Sequence, residues 1–282
     1  MDGPTETEVR AARKWLAKRG VDVAEPTPLL ALRLGVRRGA RSPDYWARYV
    51  VMVVVLIVGA VVLQLLPLLL GVARADRFQG SWIFLIYAGL VLFIWLPVRS
   101  ADRRAATWLG DRRLDVSRPS WREPVNGWYL TSVLITFGGG AVLAVVMGVV
   151  TFRWVWALTW LALLASGAVV VAVVLNGVFR RPVIAEDDSS LRIDAVVRAE
   201  DPLIAMPGLF ALPVLVDPLL SEWRAPEFTP WLIGYVVLAF ATLLVGRYTQ
   251  YRRRTLPPGH YGTPPVPDPG TPVDWSPPRE AR

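Results

Sequence analysis

Long uncharged runs alternate with arginine-rich segments along this chain. Tyr49 to Ala73 is 25 residues without a charge. At about 1.5 Å of rise per residue, a helix of that length exceeds the ~30 Å hydrocarbon core of a bilayer. Every face of that helix is apolar, so it reads as a membrane span. Similar runs recur at Phe78–Val98, Pro124–Phe152, Trp154–Phe179, Pro202–Val216 and Phe228–Gly246. Trp82, Trp95, Trp154 and Trp156 stand near run ends, where an indole keeps its ring apolar and its N–H wet. The pattern predicts an all-α, polytopic membrane helical bundle. It has six transmembrane helices arranged as three hairpins, with spans at about 49–72, 79–98, 128–151, 154–178, 203–220 and 229–246. The fifth is short and holds Pro207 and Pro213, with Asp217-Pro218 at its end; the span count and the charge pattern both require it.

The polar segments divide the chain into a cytosolic N-terminal segment (1–46), a membrane domain (47–247) and a basic, then proline-rich, tail (248–282). Thr5-Glu6-Thr7-Glu8 fits a capping box opening a helix to Arg19, which Gly20 ends. Val9, Ala12, Trp15 and Leu16 form its apolar stripe among Arg10, Arg13, Lys14 and Lys18. That suits an amphipathic helix lying on the membrane, or equally one packed on another polar segment. Pro26 and Pro28 read as chain breakers. Asp187-Asp-Ser-Ser opens a second short helix, read as lying on the membrane surface, and Pro202 stops it. Nine prolines between 255 and 282 predict a disordered or polyproline-like tail. Its two PxxP spacings carry little information in so proline-rich a segment. The polar start without an early apolar run predicts no secretory signal peptide, so the first span acts as an uncleaved anchor.

Charge fixes an orientation. Of 31 Lys and Arg, 27 fall in the N-terminal segment, the 99–123 and 180–201 loops and the tail; Arg74, Arg77, Arg153 and Arg224 fall on the other side. Six spans with both termini in the cytosol of a cell-membrane protein produce that split. The net charge of +8 is then met by anionic lipids at the inner leaflet, without nucleic acid. A mean hydropathy of +0.40 and 54% hydrophobic residues agree.

Ala12 to Val23 and Ala105 to Val116 match at six of twelve positions, which suggests a duplicated unit of surface helix plus hairpin. Ser132, Thr136, Gly140, Ala144 and Gly148 recur every four residues and form a helix-packing face, with Ala168, Ala172 and Asn176 as a candidate facing ridge. Gly138-Gly139-Gly140 lacks the Lys and Ser/Thr of a phosphate loop and reads as a close-packing or kink element. Asp217 and Gln64 are the candidate functional intramembrane polar residues. Asp217 is expected near the outer interface, within reach of water.

No cysteine and a single histidine, His260, leave no thiol chemistry, histidine metal cluster or Ser-His-Asp triad within one chain. No catalytic residue, metal or cofactor is expected, and the chain is read as a non-enzyme. Arg180 to Arg198, following a Val/Ala-rich hairpin, resembles a loop of uncharacterised multi-span membrane proteins of actinobacterial type; that resemblance implies no activity. Two functional readings follow. One is a transport-associated, permease-like component partnered by an ATPase subunit. The other is a non-catalytic membrane scaffold or sensor that binds a partner through its basic loops and proline-rich tail.

Overall fold

The computed structural model describes residues 3–37, 45–69, 71, 80–112, 114, 126–220, 225–251 and 255–264. Helix α1 (Glu6–Ala17) starts at the Thr5 cap, with Glu8 completing the box. A two-residue strand β1 (Glu25–Pro26) leads into α2 (Pro28–Arg37). The apolar helices are α3 (Tyr45–Leu69), α4 (Ser81–Leu109), α5 (Gly127–Val133) with α6 (Gly140–Thr151), α7 (Trp154–Phe179) and α10 (Thr229–Tyr251). Between them lie α8 (Asp188–Glu200), 3-10 turns and the short α9 (Val216–Leu220). A second two-residue strand, β2 (Gly262–Thr263), pairs antiparallel with β1.

Among the described residues, five helical stretches are long and apolar enough to cross a membrane: Ser81–Arg112, Gly127–Thr151, Trp154–Phe179, Asp188–Leu219 and Pro226–Thr249. The chain is a membrane protein of multi-pass helical character. Its outer surface is the inverse of a soluble domain's. Val50, Val54, Val142, Val149, Val169, Val237 and Leu244 are all exposed. Patches of that extent mark a contact surface, and on helices this long and apolar they fit lipid. Inside, Phe84, Trp156, Trp160, Phe210 and Tyr235 are buried together. The Phe84 and Phe210 rings lie 5.0 Å apart, and the edge-on Trp160 and Tyr235 rings 5.8 Å apart.

Two irregular helices give the bundle its shape. Leu134–Gly139, joining α5 to α6, is a π segment. The Tyr235 hydroxyl donates to the Thr136 carbonyl inside it, at 2.6 Å. Pro207–Leu215 is a nine-residue 3-10 helix. At about 2.0 Å per residue it covers about 18 Å, against about 13.5 Å in α geometry. That extra reach is how an apolar run of few residues travels so far. Gly208 lets the narrow segment press on α10, since a Cβ there would sit 2.8 Å from the Ala239 carbonyl oxygen.

The polar segments fold together into a cap. Of the two readings of α1 the packed one holds: its stripe faces α2 and α8, and Ala12, Trp15, Leu16, Leu30, Leu34, Ile193, Val197 and Tyr261 form one buried cluster. Three other expectations are corrected. First, α8 is a buried cap helix, not a surface one. Second, Pro28 opens α2 instead of breaking the chain; proline suits a first helical position, where its missing N–H has no intrahelical partner to lose. Third, residues 255–264 of the expected disordered tail are folded against the cap. The Ala24 amide donates to the Thr263 carbonyl and the Thr27 amide to the Tyr261 carbonyl. Gly262, at φ +150°, permits that contact, because any Cβ would overlap the Glu25 carbonyl. Residues 265–282 of the expected disordered tail lie outside the described residues. The second copy of the proposed repeat is not a separate helix: Ala105 to Leu109 continues α4 eleven residues past Val98, with Val98, Ala101, Asp102, Ala105 and Leu109 buried along one face.

Candidate functional site

The cap closes over a lattice of buried charge. Arg33 and Arg37 stand one turn apart on α2, as do Asp194 and Arg198 on α8. Asp102 comes from the extension of α4. Arg181 follows α7, and Asp201 follows α8. Arg33 is fully buried. Its Nη2 donates to Asp194 Oδ1 at 2.6 Å, its Nε to Asp102 Oδ1 at 3.3 Å and its Nη1 to the Ile184 carbonyl at 2.9 Å. Arg37 bridges Asp102 and Asp201, each at 3.0 Å. Arg181 Nη1 reaches the same two carboxylates at 2.5 and 2.6 Å. Arg198 pairs with Asp194 at 3.0 Å and donates to the Val178, Arg181 and Pro182 carbonyls.

Burial pulls the Arg33 guanidinium below its usual range, and Asp102 and Asp194 oppose that pull. At Arg37 and Arg181 burial acts the same way, but Asp102 and Asp201 outweigh it and hold both above the usual range. All three remain cations at neutral pH. Four guanidinia meet three carboxylates, so the lattice keeps a net charge of +1. Arg19 pairs with Glu200, stacks on Trp15 and extends the lattice across the cap. Glu8, buried on α1, pairs with Arg104.

Against this lattice lies a cavity of about 420 Å³, between α4 and the end of α7. Trp95, Arg99, Arg103, Gly177, Arg180 and Arg181 contribute to its wall, as do the lattice carboxylates Asp102 and Asp201. The Arg99 guanidinium sits 5.3 Å from the Trp95 ring centroid and donates to the Gly177 carbonyl at 3.1 Å. Arginine-rich walls over an aromatic base bind oxyanions, since each guanidinium offers a planar fork of donors. Among the described residues no group of three His, Cys, Asp or Glu is placed to hold a metal ion.

The intramembrane residues singled out from sequence lie elsewhere. Ser132, Thr136, Gly140, Ala144 and Gly148 are all buried. Their neighbours are not the expected ridge, for Ala172 and Asn176 are exposed. Gly140 faces Leu164 and the Tyr235 hydroxyl, and Gly148 faces Trp154 and Ala157; a Cβ at Gly140 would meet Tyr235 at 2.7 Å and one at Gly148 would meet Trp154 at 2.9 Å. The ridge fails because bulky side chains from α7 and α10, not small ones, fill this groove. Asp217 is 2% exposed, which corrects its expected access to water; Trp156 Nε1 donates to its Oδ2 at 2.8 Å. Gln64 falls on α3, and its side chain lies outside the described residues.

Sequence reading missed the lattice itself. Asp102, Asp194 and Asp201 are single acids among many arginines, a pattern that normally means a solvated surface. One signal was available: two of the acids sit on the buried stripe of their helix, Asp102 between Val98 and Ala105 and Asp194 between Ser190 and Val197. No family model, curated protein or solved structure matches this chain.

Proposed function

We infer that this chain is a six-span membrane scaffold or sensor, non-catalytic, with a folded cytosolic cap fastened to its spans. One observation carries the reading. The cap is built from four separated segments, 6–37, 99–109, 181–201 and 255–263: the first three share the lattice and an apolar cluster around Leu29, Ala105 and Ile184, and the last joins the cluster around Trp15 and Ile193. Segments that share a compartment must be separated by even numbers of crossings. The pairs α3 with α4, α5–α6 with α7, and the 202–220 segment with α10 supply two crossings each. The lysine and arginine distribution supports a cytosolic cap and cytosolic termini. A cap locked to the bundle by buried ion pairs transmits changes in the bilayer to a surface that partners reach.

Single-cysteine labelling tests this directly, because the chain has no native cysteine. Glu6→Cys, Thr107→Cys and Gly259→Cys should react with a membrane-impermeant maleimide only from the cytosolic face, and Phe152→Cys only from the other. Labelling of Thr107→Cys and Phe152→Cys from the same face sinks the topology. For function, deleting 265–282 should remove a cross-linked partner from native membranes while the cap stays protease-resistant; deleting 255–282 should open the cap as well.

The transport-associated reading has one observation of its own: a carboxylate, Asp217, buried in the bundle. Proton or potassium flux into vesicles holding the chain, abolished by Asp217→Asn, would favour it over the scaffold.

A further inference from the structure

We propose that the cavity between α4 and α7 is a binding site for a phosphate monoester, the charged group of an anionic headgroup such as phosphatidic acid. The proposal rests on the scaffold reading, and it names what the cap senses. Four features of the cavity carry it.

Its charge is uncompensated. Asp102 and Asp201 are already bonded to Arg33, Arg37 and Arg181. Arg103 and Arg180 are exposed, and neither makes an ion pair among the described residues. With Arg99 they leave three cations facing one space, beyond the lattice's own +1.

Its donors are held in place. Arg99 is fixed by the Trp95 ring and the Gly177 carbonyl. Gly177 is needed for that approach, since a Cβ there would collide with Trp95 and crowd Arg99 Nη1. Arg181, 7% exposed, is clamped by Asp102 and Asp201 through Nη1, with Asp194 3.9 Å from its Nη2, so it adds fixed positive charge behind the wall. Forks fixed before the ligand arrives lose little entropy on binding.

Its depth is that of lipid phosphates. Arg99 and Arg180 are the first charges after the uncharged runs Phe78–Val98 and Trp154–Phe179. The cavity therefore opens where two spans leave the hydrocarbon, the level at which basic pockets between helices meet headgroups.

Its size fits. About 420 Å³ lies in the range of small-ligand sites and exceeds what one phosphoryl group fills.

The test uses the full chain in nanodiscs of phosphatidylcholine, with and without phosphatidic acid, released and read by native mass spectrometry. The chain should retain phosphatidic acid in preference to phosphatidylcholine. Arg103→Gln with Arg180→Gln should weaken retention about 30-fold, at roughly fivefold per charge. Both residues are exposed, so the cap should keep its protease resistance. Arg10→Gln with Arg13→Gln removes the same charge from the exposed side of α1 and should change retention less than threefold. Glycerol 3-phosphate, a soluble phosphate monoester, separates two sources of the same chemistry. Phosphatidic acid that resists displacement marks a lipid site, and displacement with direct glycerol 3-phosphate binding marks a soluble phosphate ester. Retention of neither, or equal loss in the two double variants, overturns the site. Flux through Asp217 with lipid retention intact would remove the scaffold reading and leave the pocket standing.

Discussion

Arg33 in the cap and Thr136 in the bundle are both completely buried, yet their surroundings differ in kind. Arg33 has two carboxylates and a carbonyl in hydrogen-bond range. The Thr136 hydroxyl, like those of Ser132 and Tyr129, makes no hydrogen bond among the described residues. In the cap, elements are held by directional charge pairs that tolerate one arrangement. In the bundle they are held by shape, with small residues of α6 admitting Tyr235 and Trp154. A bilayer already favours the helices, so packing there has only to choose neighbours. The cap has no such help, and its buried ions cost desolvation unless each is matched. The cap is therefore the brittle half, and single changes should act more strongly there.

Arg33→Met should have the largest effect. It leaves Asp194 and Asp102 short of a cation, which costs about 3–5 kcal/mol. Limited proteolysis of the cap should speed up while detergent-resistant helicity is retained. Adding Asp194→Leu should recover part of the loss; failure of the pair to recover anything would mean that Arg33 acts through packing alone. Trp156→Phe comes next, at about 1.5–3 kcal/mol, because it removes a donor from the buried Asp217 carboxylate. Thermal unfolding in micelles should shift down with cap proteolysis unchanged. Gly140→Ala should cost about 1–3 kcal/mol, since the Tyr235 hydroxyl must move and its bond to the π segment weaken. A neutral result would show the groove to be loose. Smallest is Thr5→Ala, about 1 kcal/mol, which loses the side-chain half of the α1 cap while the residue-5 amide still donates to Glu8. Amide exchange should rise in α1 and not in α7.

The contrast also decides what could be read in advance. Apolar runs announce membrane helices because the bilayer sets a length that few soluble helices match, so α4, α7 and α10 were legible from composition alone. The Thr5 and Asp187 caps were legible because capping is local. The lattice was not, because it joins α2 to α4 and α8 over some 65 to 165 residues of chain and looks like ordinary surface charge in each piece. Helix α2 was hidden by Pro26 and Pro28, which signal a break unless the second proline is seen to sit at a helix start. The 3-10 geometry of Pro207–Leu215 was hidden too, since prolines forbid a regular α-helix without naming its replacement. On the membrane face, small residues marked where helices approach but not which residues fill the space; size, not smallness, chose Tyr235 and Trp154.

The pairing of β1 with β2 bears on how the molecule is made. Glu25 leaves the ribosome early and Thr263 late, with every span between them. The N-terminal helices can fold as they emerge, yet the strand beside them stays open until the last span has been threaded and its end has come back to the same side. A chain that inserts one helix too few or too many delivers its final residues to the wrong compartment, and the clasp does not shut. Closure of the pair thus requires that the chain between Glu25 and Thr263 be threaded so that both strands reach the same side.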